Sequence, residues 1–217
     1  IRRDGPGRSV SVMDTRPQTI TVDGLTRRFG DQTVVDQVSF TVPTGNFGDV
    51  FAGYVAQRMG LPVAQLVVAT NVNDILHRAL SEGDYSQGQV VATATPSMDI
   101  QVSSNFERAL FSAYDGDGAA VAQLMAELSG QGGFAISQGA REHLAEIYDS
   151  GRVSEPETLA TIARVRAETG EIVCPHTAVA IKVADDHRRT GAHQGGRGVR
   201  FVSDAMLEPA QRFHLSE

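Results

Sequence analysis

The chain has 217 residues and a formal net charge of −7, an acidic balance that argues against nucleic acid as its main partner. A single cysteine, Cys174, excludes an intrachain disulfide and makes the reducing cytoplasm the expected compartment. At 41% hydrophobic and 21% charged residues the composition is that of an ordinary globular chain, with no apolar run of membrane-spanning length and no signal-peptide core near Ile1.

The charge is uneven. Residues 1–30 carry six Arg against three Asp, and residues 187–217 five Arg against three acids, so the negative excess sits between them. Basic ends on an acidic middle suggest pieces of different origin. Ile1 to Gln18 is polar, Arg-rich and without period, and reads as a flexible leader. From Thr19 the apolar positions alternate loosely up to a turn at Gly30-Asp31, which predicts an antiparallel strand pair. Residues 19–45 resemble the opening of an ABC transporter ATP-binding subunit. The resemblance stops there, because a phosphate-binding P-loop needs G-x-x-x-x-G-K-[ST] and Lys182 is the only lysine in the chain. Leu128-Ser129-Gly130-Gln131-Gly132 is similar to the signature sequence of that family, but without a P-loop it reads as a helix end.

Val38 to Val42 is a short apolar strand, followed by Pro43-Thr44-Gly45-Asn46-Phe47-Gly48 and then a helix. Phe51, Tyr54, Val55 and Met59 mark its apolar face, and Gly60 and Pro62 stop it. A glycine-rich loop between a strand and a helix N-terminus leaves backbone amides free where the helix dipole is positive, so an anion fits there. Gly45 and Gly48 keep side chains out of the way, and Asn46 adds an amide donor. A plain strand-to-helix turn is the other reading of the same residues.

Further along, Gln65 to Thr70 is a continuous apolar run suited to a buried parallel strand, completing a βαβ unit. Asn71 and Asn73 are expected to cap the next helix. Val90 to Thr95 is expected as a third strand. Ser104-x-x-Glu107 reads as a capping box for a helix through Tyr114, and Asp115-Gly116-Asp117-Gly118 as a turn. Helical faces follow at Ala120 to Leu128, at Leu144, Ile147 and Tyr148 up to Gly151, and at Leu159, Ile162, Ala163 and Val165, the last opened by a Ser154-Glu157 capping box. Ile172-Val173 reads as a strand leading to Pro175-His176-Thr177 and an Ala/Val-rich helix. Arg188 to Gly198, crowded with Gly, Arg and His, is expected to be poorly ordered.

Four blocks, VSFTVPTGNFGDVFAGYVAQRMGLP from Val38, ATNVNDIL from Ala69, PSMDIQVSSNFERALF from Pro96 and TGEIVCPHTAVA from Thr169, resemble threonine synthase in that family's order. The resemblance covers residues 38–186, and leaves 1–37 as a leader with the strand pair and 187–217 as an unaligned tail. It implies an α/β fold with an open, mostly parallel sheet and flanking helices, part of a fold type II, tryptophan-synthase-beta-like enzyme dependent on pyridoxal phosphate. It further implies that Gly45, Asn46, Phe47 and Gly48 hold the cofactor phosphate and that Thr177 faces the pyridine nitrogen. Ser97, Ser104, Asn105 and Arg108 fall in the block implied to bind O-phospho-homoserine, the substrate converted to threonine and phosphate. The bland alternatives stay open: Thr177 as a helix-start residue, Ser104 as a cap, Arg108 as a solvated side chain.

The family's cofactor-anchoring lysine comes from a segment that this chain does not contain, and Lys182 matches no catalytic position. No catalytic residue is therefore assigned, and no histidine spacing suits a metal. Two readings result. One is the C-terminal portion of a threonine synthase that needs a separate lysine-bearing half or self-association. The other is an inactive fusion or fragment, joined near Val38 to Gly45, that at most binds a small anion or a partner chain.

Overall fold

The computed structural model describes residues 28–29, 32–33, 38–190 and 199–201. The expected flexible leader, Ile1 to Gln18, lies outside these residues. β1 (Arg28–Phe29) pairs antiparallel with β2 (Gln32–Thr33), while the expected turn residues Gly30 and Asp31 lie outside the described residues. The centre of the fold is β3 (Val38–Pro43), α1 (Gly48–Arg58) and β4 (Val63–Thr70), with the two strands parallel and in register from Phe40 opposite Leu66 to Val42 opposite Val68.

Next come α2 (Ile75–Ser81), β5 (Asp84–Ser86), a single 3-10 turn at Pro96–Met98, α3 (Phe106–Ala113), α4 (Gly118–Gln131), β6 (Gly133–Ala135) and α5 (Gln138–Ala145). β5 and β6 form a small antiparallel pair. The chain then returns to the main sheet as β7 (Tyr148–Arg152), parallel to β4, and continues through α6 (Glu155–Thr169) and α7 (Pro175–Thr190); the last described strand is β8 (Val199–Phe201), parallel to β3. The sheet order is β7-β4-β3-β8.

The alternation of side chains along each strand sorts the core onto two faces. Val42, Leu66, Val68 and Tyr148 join Phe47, Phe106, Leu110 and the residues of α2 and α5 in the larger cluster. Val67, Ala69 and Val153 turn to the other face, against Met98, Val179 and Val183. β4 is therefore covered on both sides, as its unbroken apolar run predicts. No helix among the described residues is long and apolar enough to cross a membrane.

Several expectations fail for identifiable reasons. Residues 90–95 are not a strand: Val90 and Val91 are exposed, and the Val91 backbone bonds the Asn73 side chain instead of a neighbouring strand. Asn71 and Asn73 accordingly do not cap α2. The residue before it, Asp74, makes no side-chain cap either. The third strand is β7, where a helix was expected. Spacing of Leu144, Ile147 and Tyr148 suits a helix, but α5 ends at Ala145 and Tyr148 is drawn into the sheet, packing edge-on against Phe47 at 5.3 Å.

Smaller departures follow the same lines. Ser104 and Glu107 form no capping box, since α3 begins after Asn105 without a side-chain cap, while the Ser154–Glu157 box is complete. Ile172 is exposed in irregular backbone. On α1 the buried side is Val50 with Phe51 and Tyr54 half-covered, whereas Val55 and Met59 face outward. α7 carries on through His187 to Thr190, so the expected tail begins inside a helix; of the stretch expected to lack order, 188–190 is helical and 191–198 lies outside the described residues.

Candidate functional site

The loops at the carboxyl ends of β3, β4 and β7 share one edge of the sheet, where open α/β folds bind ligands. The Gly45–Gly48 turn leaves β3 there. Thr44 fixes its start: its amide donates to the Ala69 carbonyl (3.1 Å) and its hydroxyl accepts from the Phe47 amide (3.0 Å). Gly45 has no room for a side chain, because a Cβ would stand 2.6 Å from the Ser97 carbonyl oxygen, which is backbone and cannot yield. Phe47 takes left-handed φ/ψ of 66° and 5°, unusual for a bulky residue, and its ring is fully buried between Phe106 and Tyr148. The aromatic packing offsets the backbone strain and holds the turn in shape.

Two of the four turn amides are spoken for: Phe47 by Thr44, and Gly48 by the Asn46 side-chain oxygen at 2.8 Å. Asn46 thus uses its carbonyl to close the turn and keeps its Nδ2 as the available donor. The amides of Gly45 and Asn46 have no acceptor among the described residues, and Asn46 is exposed. The first hydrogen bond internal to α1 is Phe51 N–H to the Phe47 carbonyl, so the helix opens toward this turn with its positive end.

Two separate segments meet the turn, and a third is tied to one of them. Asn105 holds the Asn46 carbonyl twice, by its backbone amide and by Nδ2, both at 3.1 Å, and Nδ2 also reaches Ser104 Oγ at 3.4 Å. Ser97, whose carbonyl abuts Gly45, bonds His176 Nε2 through its hydroxyl at 2.6 Å. His176 stands at the start of α7 beside Thr177, so a second helix N-terminus is tied to the same edge. The Thr177 hydroxyl contacts Cys174 Sγ at 3.2 Å. Arg108 goes elsewhere: it is exposed and stacks over the Phe51 ring at 5.7 Å.

The sequence assigns His176 no role, and its place directly before Thr177 in the fourth block is the one sign of this contact. Nor does it show the polar network behind the edge. Asn71 Nδ2 donates to Thr95 Oγ1 (2.8 Å) and Asp99 Oδ1 (2.7 Å), Asn71 Oδ1 accepts from the Asn73 amide (2.8 Å), and Asp99 Oδ2 accepts from the Thr93 amide (2.8 Å). These bonds pin the irregular segment 91–99, which carries Ser97, to the end of β4. Lys182 is engaged away from any such role. Its ammonium pairs with Asp186 and lies 3.5 Å from Glu157, and the hydrogen bond to Asp186 raises its pKa, keeping the amine charged.

Comparison with known proteins gives a consistent picture. No protein-family model matches the chain. Threonine synthase of Pseudomonas aeruginosa is 47% identical over 153 residues, 70% of this chain and 33% of that protein. Threonine synthase-like 2 of Homo sapiens is 37% identical over 145 residues, 66% of this chain and 30% of its own length. Among solved structures, pyridoxal-phosphate-bound threonine synthase from Brucella melitensis aligns with a TM-score of 0.71 at 50% identity, over 76% of this chain and 35% of that one. Yeast threonine synthase aligns at 0.70 and 38%, over 77% and 35%. The chain thus spans about a third of the length of the relatives it matches. The ABC resemblance of residues 19–45 finds no support in these comparisons and is withdrawn, and β3 within that stretch belongs to the parallel sheet.

Proposed function

We propose that this chain, a partial homologue of threonine synthase, supplies the phosphate-binding edge of an enzyme of that kind, in which pyridoxal phosphate serves the conversion of O-phospho-homoserine to threonine and phosphate. The observation that carries the proposal is the Gly45–Gly48 turn. It offers unpaired amides at a helix N-terminus, and Ser97, itself bonded to His176, packs against it. The turn fits a phosphate group through the Gly45 and Asn46 amides and Asn46 Nδ2 as donors, and the absence of a side chain at Gly45 lets it pack against the Ser97 carbonyl in that shape.

In this reading the cofactor, when bound, acts as an electron sink for the substrate carbon chain. The chain's own residues bind and orient. Phe47 locks the turn from below, and Asn105 keeps the Asn46 carbonyl turned away from the anion. Thr177 provides a neutral hydroxyl for a ring nitrogen. Ser97, Ser104 and Asn105 present hydrogen-bonding groups for substrate anions, and Arg108 joins them only after leaving Phe51. No residue here supplies the anchoring amine, because Lys182 is held charged by Asp186, so the chain by itself is proposed to be inactive and to need a lysine-bearing portion. By chain order we propose that residues 38–190 form this unit.

The test is a titration of the full chain with pyridoxal phosphate followed by borohydride and peptide mapping, alongside phosphate release from O-phospho-homoserine. Expected are weak binding that inorganic phosphate competes away, abolition by Gly45→Ala, no label on Lys182 and no turnover. Adding the remaining two-thirds of the Pseudomonas aeruginosa enzyme as a separate chain should restore phosphate release. Label on Lys182, or turnover by the chain alone, overturns the missing-lysine reading; binding indifferent to Gly45→Ala overturns the cradle.

A further inference from the structure

Behind the glycine turn stands a wall that the turn itself does not build. A Cβ on Gly45 would meet three atoms of one short stretch: the Ser97 carbonyl oxygen at 2.6 Å, Ile100 Cδ1 at 3.1 Å and Met98 Cα at 3.2 Å. Gly45 is therefore seated against residues 97–100, and in a close-packed contact a shift of that stretch moves the backbone that carries the free amides. The stretch has little regular structure of its own, a single 3-10 turn at Pro96–Met98. On one side Met98 is plugged into the second core cluster with Val67, Ala69 and Val179. On the other side the anchor is the Asp99 carboxylate. Its Oδ1 accepts from Asn71 Nδ2 (2.7 Å), Asn73 Nδ2 (3.0 Å) and Thr93 Oγ1 (2.7 Å), and its Oδ2 from the Thr93 amide (2.8 Å). Asn71 and Asn73 are 3% and 4% exposed, so these bonds are shielded from water and costly to lose.

Asn73 also grips the Val91 backbone at both its amide and its carbonyl, at 2.8 and 2.9 Å. Both legs of the excursion, 91–93 and 97–100, thus converge on side chains just past the end of β4. The same strand end fixes the other side of the turn: the Ala69 carbonyl takes the Thr44 amide, and Thr44 sets the entry to the turn. Ala69 and Asn71 are two residues apart, so the entry and the wall are both referenced to one short piece of chain. The link at Thr44 is backbone to backbone and survives any change of side chain. The link to the wall runs through Asp99. An amide at that position would turn an NH2 against donors, because each carboxylate oxygen faces N–H or O–H groups and either replacement leaves a mismatch.

We propose that Asp99 is a positioning residue for phosphate at the Gly45–Gly48 turn, setting the affinity by holding residues 97–100 against Gly45. Its oxygens are taken up by Asn71, Asn73 and Thr93, so it acts through Ser97, Met98 and Ile100. The inference rests on the phosphate reading of the turn and adds to it a carboxylate outside the turn on which binding depends. The dependence is steep because an anion held by backbone amides needs its donors placed to within about 0.5 Å.

The experiment is amide NMR of the full chain titrated with inorganic phosphate, for wild type, Asp99→Asn, Thr93→Val and Thr93→Ser. In wild type the Gly45 and Asn46 amides should shift saturably. In Asp99→Asn and Thr93→Val these two signals should be displaced before any phosphate is added, with phosphate bound about tenfold more weakly, whereas Thr93→Ser, which keeps the hydroxyl, should stay within about twofold of wild type. Leu124→Ala, a core truncation on α4, is the control for lowered stability alone: it should move the urea midpoint at least as far and leave phosphate binding within about twofold. Undiminished binding by Asp99→Asn, or by Thr93→Val where Asp99→Asn does not fold, overturns the role of Asp99, as does an equal loss in Leu124→Ala. Phosphate that leaves the Gly45 and Asn46 amides of wild type unmoved is a different result, which removes the phosphate reading itself and the inference with it.

Discussion

The two faces of the central sheet are built to different standards. On one, Phe47, Phe106, Tyr85, Leu66, Leu110 and Tyr148 interlock with α1, α2, α3 and α5 around rings 4.8–5.3 Å apart. On the other, α7 lays mostly Val and Ala over β4 and β7, and α6 then packs on α7, its buried residues being Thr158 and Thr161. Much of what orders this second face is polar: His187 with Asp149, Arg164 and Arg188 with Asp185, and Lys182 with Asp186 and Glu157. Large aromatics make the first face tolerant of nothing smaller, whereas the second depends on close approach and on charge. The glycine turn is anchored in the first face, and His176, on α7 of the second, bonds Ser97 beside it.

The strongest challenge to this contrast is Phe47→Ala. It empties a fully buried ring site and leaves a left-handed backbone without the packing that held it, so a loss of about 3–5 kcal/mol is expected in urea unfolding. The turn should loosen with it and anion binding should disappear. A loss under about 1 kcal/mol would mean that the first face does not rest on this ring.

On the second face the matching change is Gly151→Ala. A Cβ there would stand 2.7 and 2.9 Å from the two methyl carbons of Val183, so α7 must move off β7 or Val183 must change rotamer. A cost of about 1–3 kcal/mol is expected. The double change with Val183→Ala should recover part of it, since the clash goes even though a methyl contact is lost.

How far these two faces could be read from the residues alone differs as well. The βαβ unit and its glycine turn were visible, because a strand of small apolar residues, two glycines and a helix period are local signals. β7 was not: Tyr-Asp-Ser-Gly-Arg has little strand character, and only the pairing with β4 and the contact with Phe47 explain it. Ser97 abuts Gly45 and Asn105 holds Asn46, with Ser104 beside Asn105, but Arg108 turned to Phe51, and the contact of His176 depended on a partner 79 positions away. Asn71 and Asn73 looked like helix caps because nothing local shows that segment 91–99 folds back over them.

Electrostatics gives a third, smaller discriminator. His187 is buried, with Nδ1 at 2.9 Å from the Val183 carbonyl and Nε2 at 3.0 Å from Asp149 Oδ2, so both nitrogens face acceptors, an arrangement that favours the protonated ring. Its pKa is raised, chiefly by the hydrogen bond to Asp149. A raised folded pKa means that the stabilisation is complete below the ordinary value near 6.5 and is lost as pH climbs through the folded one. Unfolding free energy should therefore fall by about 1–2 kcal/mol across that rise, and His187→Asn should remove the step. A profile identical in wild type and variant would show that the second face does not use this charge.

The smallest expected effect bears on how α6 is oriented. Its apolar residues, Leu159, Ile162, Ala163 and Val165, recur as a core stripe should, yet Leu159 is 53% exposed and the buried positions are Thr158 and Thr161. Threonines can face α7 because their hydroxyls return to the Ser154 and Glu157 carbonyls one turn back, so no polar group is buried unpaired. Their methyls then pack where larger side chains would push the helices apart. On this account Leu159→Ser should change stability by no more than about 0.5 kcal/mol, while Thr161→Val, which keeps the shape and drops only a locally satisfied hydroxyl, should be near neutral. A loss above about 2 kcal/mol at Leu159 would require α6 to be turned by one residue, about 100°, and would make the two faces alike in depending on a large apolar contact.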